Sequence, residues 1–226
     1  MTVACIVVAA GRGERLGDER PKAFAELGGR PLIEYALRAL ARSARVDDVV
    51  VVVPTGFENH PALDGATRVV EGGGTRQESV ARGMAALPAE AHVVLVHDAA
   101  RCLAPPELFD AVADAVDDAA GGAYEAVVPG LAVVDTVKQV DGDGRVTGTP
   151  DRTALRAVQT PQGFRRAVLE RAHESPGTTD VSDDAGLVEL LGRPVHVVPG
   201  HPDAFKITRP LDLVLAEAVL SAKATL

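Results

Sequence analysis

Short runs of β-branched and aliphatic residues alternate along the chain with stretches whose apolar residues recur every three or four positions. Val3–Val8, Asp48–Val53, His92–His97 and Glu125–Val128 read as strands. Runs this continuously apolar suit parallel strands covered on both faces, since a half-wet strand would alternate with polar residues. Pro31–Arg42 reads as a helix, with Leu32, Tyr35, Ala36, Leu37 and Leu40 on one stripe and a proline at its start. Thr75–Leu87 places Val80, Met84 and Leu87 at helical spacing, Pro106–Ala120 does so with Leu108, Val112 and Val116, and Pro210–Ala224 is a fourth helix. Strand–helix alternation requires right-handed crossovers. The expected fold is therefore α/β and Rossmann-like, a mostly parallel twisted sheet with helices on both faces.

One stretch departs from this rhythm. Asp135–Val140 and Arg145–Thr147 alternate polar and apolar residues around Asp141-Gly142-Asp143-Gly144, which is hairpin-turn chemistry. A half-polar hairpin has too little core to stand alone. It is expected to project as an arm, over roughly residues 136–155, and to pack on something else, such as a second subunit. The rest of the chain, without repeats or a dividing linker, reads as a single domain over 1–226.

Composition narrows the classes. With 226 residues the chain is long enough for a self-sufficient core, and with 3% aromatic residues and no Trp that core must be aliphatic. Cys5 and Cys102 lie far apart, outside any metal-ligand or disulfide spacing, and Cys5 sits in an apolar run as a small buried thiol would. Met1-Thr2-Val3 offers no basic leader, and no apolar run approaches the length of a membrane span. The expectation is a cytoplasmic protein with no membrane partner. A formal charge of −9 makes general nucleic-acid binding unfavourable, so any polyanion must be met by a local cluster of cations.

Such a cluster follows the first strand. Ala9-Ala10-Gly11-Arg12-Gly13-Glu14-Arg15-Leu16-Gly17 leads to Pro21-Lys22. A glycine turn at the carboxyl end of a first strand is where open α/β sheets bind nucleotides, and glycine lets backbone N–H groups approach phosphate oxygens. The dinucleotide fingerprint is excluded because Leu16 stands where its last glycine belongs and Val53-Pro54 ends the second strand without an acidic residue; no register supplies a P-loop. What remains is a phosphate-cradling loop carrying Arg15 and Lys22.

Three further constellations accompany it. His97-Asp98-Ala99-Ala100-Arg101 ends the third strand, so Asp98 would face the same crevice and accept from a ribose or steady a triphosphate, while Arg101 would reach an anion. Gly72-Gly73-Gly74-Thr75-Arg76-Gln77-Glu78-Ser79 is a second glycine turn, expected to offer free N–H groups and the Ser79 hydroxyl to a base edge. Phe205-Lys206-Ile207-Thr208-Arg209-Pro210 places a lysine on a short strand before the last helix.

Taken together, Ala9-Ala10-Gly11-x-Gly13-x-Arg15, Pro21-Lys22, Arg76-x-x-Ser79-Val80, Val96-His97-Asp98-Ala99-Ala100-Arg101, Thr160-Pro161-Gln162 and Lys206-Ile207-Thr208-Arg209-Pro210 resemble the 2-C-methyl-D-erythritol 4-phosphate cytidylyltransferases of the non-mevalonate isoprenoid pathway. The resemblance spans nearly the whole chain and implies a fold of the nucleotide-diphospho-sugar transferase type. It implies that Arg15 and Lys22 stabilise the transition state at the α-phosphate of CTP. Ala9, Ala10, Gly11, Gly13, Gly73, Gly74, Ser79, Asp98 and Ala99 would hold the nucleotide. Arg152 and Lys206 would position methylerythritol phosphate, with Arg101, Asp98, Thr136, Thr160, Ser182 and Thr208 on the acceptor side. The family's arm interlocks two subunits, so a homodimer is implied, with Arg152 reaching the neighbour's site.

Cys102 and Val181-Ser182-Asp183-Asp184 depart from the family's commonest residues without removing a charge from the proposed site. The acceptor phosphate is anionic at neutral pH and needs no general base; the obstacle is repulsion between two anions, met by positioning and fixed positive charge. Mg²⁺ is expected, carried mainly by the CTP phosphates, with no metal ligands assigned to the protein. Two other readings fit much of the pattern: a ribitol-5-phosphate cytidylyltransferase, which shares the nucleotide motifs, and a nucleotide-binding protein without catalysis, which should lack Arg15, Lys22 or Lys206.

Overall fold

The computed structural model describes residues 1–11, 20–117, 121, 124–175 and 181–224. In chain order its elements are β1 (Thr2–Val8), β2 (Glu26–Leu27), β3 (Arg30–Pro31), α1 (Leu32–Leu40), β4 (Asp48–Val53), β5 (Arg68–Glu71), α2 (Arg76–Ala85), β6 (Ala91–Asp98) and α3 (Pro106–Val116). They continue with β7 (Ala126–Ala132), β8 (Gln139–Val140), β9 (Val146–Gly148), β10 (Arg156–Val158), β11 (Gln162–Arg165), α4 (Arg166–Glu174), α5 (Asp184–Leu190), β12 (His196–Pro199) and α6 (Pro210–Ala224).

Eight strands form one mixed sheet. Its parallel part runs β6-β1-β4-β5; β11 pairs antiparallel with both β6 and β7, and β10 and β12 also pair with β7. The register explains the apolar runs. Val3, Cys5 and Val7 of β1 face a cluster with Ile33, Leu37, Leu40, Phe109 and Val112 of α1 and α3. Ala4 and Ile6 face the other way, against Val80, Met84, Leu169, Leu187 and Val188 of α2, α4 and α5. Both faces of the central strands are thus dry, and neither can carry a polar residue cheaply. Gly83 of α2 allows that helix to lie close on the sheet, since a Cβ there would sit 2.6 Å from an Ile6 methyl. A third cluster seats Ala216 of α6 against Leu27, Leu32, Cys102 and Ile207.

The four apolar runs became strands and the four periodic stretches became helices, with ends shifted by a few residues. The third helix stops at Val116, because Asp117 turns extended there, and residues 118–120 of the expected helix lie outside the described residues. The hairpin is present but short. Only Gln139–Val140 pairs with Val146–Gly148, while Asp135–Lys138 makes no ladder. Its turn is closed by Asp141, whose carboxylate accepts from the N–H groups of Asp143 and Arg145, with Gly144 at φ +80. Lys206 is not on a strand. It lies in an irregular stretch after a 3₁₀ turn, Pro202–Ala204, where a single backbone bond from Ile207 N–H to the Ala100 carbonyl replaces a ladder.

Candidate functional site

The carboxyl ends of β1 and β6 and the turns that follow β1 and β5 surround a cleft of about 380 Å³. Ala9 N–H still donates to the Val52 carbonyl, which carries the chain past the end of β1 along the cleft wall to Ala10 and Gly11. The turn after β5 meets that wall at Gly72, where a Cβ would fall 2.4 Å from the Ala10 Cβ, so glycine is what lets the two loops touch. Gly73, Gly74, Thr75, Arg76 and Ser79 continue the lining, Asp98 and Ala99 form the floor, and Lys22, Lys206 and Thr208 complete the rim.

The second glycine turn differs from expectation in one respect. Its N–H groups are engaged: Gly73 donates to Ser79 Oγ at 3.1 Å, and Gly74 to a Glu78 carboxylate oxygen at 2.6 Å. The start of α2 uses them, because Thr75 is its N-cap and accepts from Glu78 N–H, and the Ser79 hydroxyl donates back to the Thr75 carbonyl. The turn is therefore rigid before any ligand arrives, and Ser79 is 2% exposed at the cleft's inner wall.

Charge is concentrated on Asp98. Its N–H donates to Thr160 Oγ1, which fixes the end of β6. One carboxylate oxygen lies 3.4 Å from Arg76 Nε and the other 2.7 Å from Lys206 Nζ. Burial works to raise the pKa of Asp98, but the two cations outweigh it and hold the group well below the usual carboxylate range. Arg76 is likewise more firmly charged than usual: burial opposes its charge, and Asp184 with Asp98 overcomes that. The cleft thus presents two lysines from segments far apart in the chain, Lys22 and Lys206, with an arginine locked into the wall between carboxylates.

Several expected residues have other placements. Arg15 and Gly13 lie outside the described residues. Arg101 does not line the cleft. Its guanidinium donates to the carbonyls of Ala204 and Val158, tying the end of β6 to the turn before Lys206, so its charge serves backbone acceptors. Thr160 is buried, 4% exposed, and its hydroxyl is used by Asp98 N–H and His97 Nδ1. Thr208 does line the cleft, with its N–H and hydroxyl both donating to Asp212 at the start of α6. Ser182 is exposed and does not line the cleft, and neither do Thr136 and Arg152 of the same chain. Arg152 begins a 3₁₀ turn, Arg152–Ala154, beside the hairpin and donates to the Val134 carbonyl. Arg76 and Asp184 received no role from the sequence, although Arg76 was part of the glycine-turn motif. The one signal for Arg76 was its place at the first position of a helix opening onto the crevice; Asp184 was marked only as part of Val181-Ser182-Asp183-Asp184, with no partner given.

His97 and Cys102 are chemically quiet neighbours. Burial pushes the Cys102 thiol up to about 12 against a smaller pull from Lys22, so it stays protonated at neutral pH. His97 is 0% exposed, packs on Phe109, and is pushed down to about 4 by burial against a weaker upward pull from Asp98. Folded His97 stays neutral where an unfolded chain, with a histidine near 6.5, takes up a proton. Stability is therefore lost as pH falls through about 6.5 toward 4, at up to about 1.4 kcal/mol per unit. In urea denaturation near pH 7.5 and near pH 5, the wild type is expected to lose about 2 kcal/mol more than His97→Gln. Equal losses in the two proteins would remove His97 as the cause.

An open α/β sheet with its cleft at the carboxyl ends of parallel strands, lined by glycine turns and lysines, defines a nucleotide-handling transferase. The chain belongs to the IspD, 2-C-methyl-D-erythritol 4-phosphate cytidylyltransferase, family, whose model matches residues 3–222. A protein of that name from Frankia casuarinae is 54% identical over 221 residues, covering 97% of this chain and 81% of the relative. One from Nocardia farcinica is 51% identical over 229 residues, covering 100% of this chain and 96% of the relative. Among solved structures, the 2-C-methyl-D-erythritol 4-phosphate cytidylyltransferase of Thermus thermophilus is 43% identical, with a TM-score of 0.80 over 98% of this chain and 100% of that one. The 4-diphosphocytidyl-2C-methyl-D-erythritol synthase of Anaerococcus prevotii is 32% identical, with a TM-score of 0.84 over 97% of this chain and 98% of that one.

Proposed function

We propose that this chain transfers CMP from CTP to 2-C-methyl-D-erythritol 4-phosphate, giving 4-diphosphocytidyl-2-C-methyl-D-erythritol and pyrophosphate. The observation that carries the reading is the meeting of Lys22 and Lys206 in one cleft beside the Ala9–Gly11 bend. The cytidine lies against Ala9, Ala10, Gly11, Gly73 and Ser79, with its ribose and phosphates toward Asp98 and Ala99. The acceptor phosphate oxygen attacks the α-phosphorus in line with the leaving pyrophosphate, and no side chain removes a proton because the nucleophile is already an anion. Lys22, with Arg15 of the same loop, meets the charge that builds at the α-phosphate, and Lys206 holds the acceptor phosphate.

Asp98 is the only carboxylate among the described residues that line the cleft, and both its oxygens are paired with cations. With its one described carboxylate engaged in this way, the cleft would leave a Mg²⁺ ion to be carried mainly by the triphosphate, and Asp98 would be the residue able to steady it. When bound, such an ion supplies neutralisation of the triphosphate charge.

The arm is proposed to make a homodimer. Val134, Val140 and Val146 are 79%, 58% and 54% exposed on or beside the hairpin, an apolar load that a lone surface hairpin has no reason to carry. Arg152 stands at its base, away from the cleft of its own chain, and is assigned to the acceptor phosphate of the partner subunit. Among the described residues no helix is long and apolar enough to cross a membrane, and a cytoplasmic place is proposed with the rest of the reading.

The decisive assay follows pyrophosphate release from CTP, with methylerythritol phosphate and ribitol 5-phosphate offered separately. Turnover is expected with the first and little or none with the second. Preference for ribitol phosphate would replace the acceptor, and no turnover with either would overturn the transferase reading.

A further inference from the structure

Behind the cleft, Asp98 is the first of a line of charged groups that leaves the site and ends under α4. Arg76 spans two carboxylates, with Nε 3.4 Å from Asp98 and Nη1 2.7 Å from Asp184. Asp184, the first residue of α5, is 0% exposed, and its other oxygen accepts from His173 Nε2 of α4 at 3.0 Å. His173 is itself 5% exposed and its Nδ1 has no hydrogen-bond partner among the described residues, so the bond to Asp184 is its polar anchorage. Neither Asp184 nor His173 lines the cleft.

A carboxylate buried this deeply is costly unless paired, and well-packed apolar residues of the same volume are often as stable as a buried ion pair. Stability alone is therefore a weak reason for this arrangement. The distances suggest another use. The short bond from Arg76 goes to Asp184 and the long one to Asp98, while the short bond to Asp98 comes from Lys206 at 2.7 Å. A guanidinium is a planar fork with fixed donors, so two carboxylates on different edges set its orientation as well as its place.

We propose that Asp184, backed by His173, is a positioning residue for the nucleotide. It draws Arg76 back from Asp98, whose other oxygen stays with Lys206 in either case, and it holds the guanidinium in the cleft wall. Without the Asp184 charge, Arg76 closes onto Asp98 and its donors leave the nucleotide side of the cleft. This rests on reading the cleft as the CTP site.

The test uses the full chain. Wild type, Asp184→Asn and Asp184→Glu are compared by steady-state kinetics with CTP and acceptor varied separately, by calorimetric titration with CTP, and by thermal unfolding. Folded Asp184→Asn is expected to show KM and Kd for CTP raised about tenfold, the scale of one lost charge-assisted bond, with the acceptor KM within about twofold of wild type. Asp184→Glu is expected to recover most of the loss, because the charge returns. Should Asp184→Asn fail to fold, Arg76→Lys carries the test: a point charge cannot hold both carboxylates, and the same selective rise for CTP is expected. CTP constants within about twofold of wild type, an equal rise for both substrates, or no recovery in Asp184→Glu would each overturn the proposal. A wild type inactive with CTP would instead overturn the functional reading beneath it.

Discussion

Lys22→Ala is expected to slow turnover by about 10²–10³ while leaving the fold intact, the usual scale for removing one preorganised stabiliser of transition-state charge. The structure separates the charge of Lys22 from the scaffold beneath it. Lys22 opens a 3₁₀ turn whose next two residues, Ala23 and Phe24, are 3% and 2% exposed. Phe24 packs on Phe57 and His60 with ring centroids 4.5 and 4.7 Å apart, and its N–H bonds the Pro21 carbonyl. The backbone under Lys22 is therefore fixed by neighbours that the substitution leaves untouched. What disappears is a cation lining the cleft where the proposed reaction brings two phosphates together, and within a cleft partly shielded from water such a charge is worth far more than in bulk solvent. The check is kcat at saturating CTP and acceptor alongside the melting temperature. A kcat within about threefold of wild type in a folded Lys22→Ala protein would remove Lys22 from the transition state, and a matching loss of melting temperature would make it a structural residue.

The parallel core was legible because burial on both faces leaves a run that admits only apolar residues: Val49 to Val53 could hardly be anything but an inner strand. The edge strands were not. Arg68–Glu71 and His196–Pro199 are half-exposed and four residues long, so no period accumulates, and Arg156–Val158 is exposed throughout. The candidate site was legible to the extent that its residues sit at strand ends and in glycine turns, where chain order already implies the crevice. Lys206 was placed correctly beside the last helix but on the wrong kind of backbone, since an extended trace without a ladder has the same residue pattern as a short strand. Arg101 and Thr160 show the other limit. A charged or hydroxyl side chain next to a site can be spent on the scaffold, and only the fold reveals that Arg101 donates to the Ala204 and Val158 carbonyls while the Thr160 hydroxyl accepts from Asp98 N–H. The partner of Asp184 was invisible for a related reason. Asp184 is 108 residues from Arg76, and an aspartate at a helix start reads as dipole compensation when the guanidinium it serves is that far away in the chain.

Mixing two crippled variants is expected to restore what neither possesses. On the proposed assignment of both cations to the acceptor phosphate, Arg152→Ala and Lys206→Ala should each weaken use of methylerythritol phosphate strongly while sparing CTP binding. In the single chain only one of these two residues lines the cleft: Lys206 does, whereas Arg152 is exposed at the base of the arm, donating to the Val134 carbonyl. If the arm of one subunit completes the cleft of the other, a mixed dimer has one site built from the intact Lys206 of one chain and the intact Arg152 of its partner. Its second site carries both lesions. Random exchange makes about half the dimers mixed, with one good site in two, so about a quarter of wild-type activity is expected after the variants are unfolded together and refolded, or co-expressed. Each variant treated alone should stay at its own low level. A mixture no more active than its components would place Arg152 and Lys206 in the service of the same chain's site, or of no common site. Sedimentation of the same samples separates those outcomes from a failure to assemble, since a dimer of normal mass without recovered activity rejects the shared site, while a monomer rejects the arm as the interface.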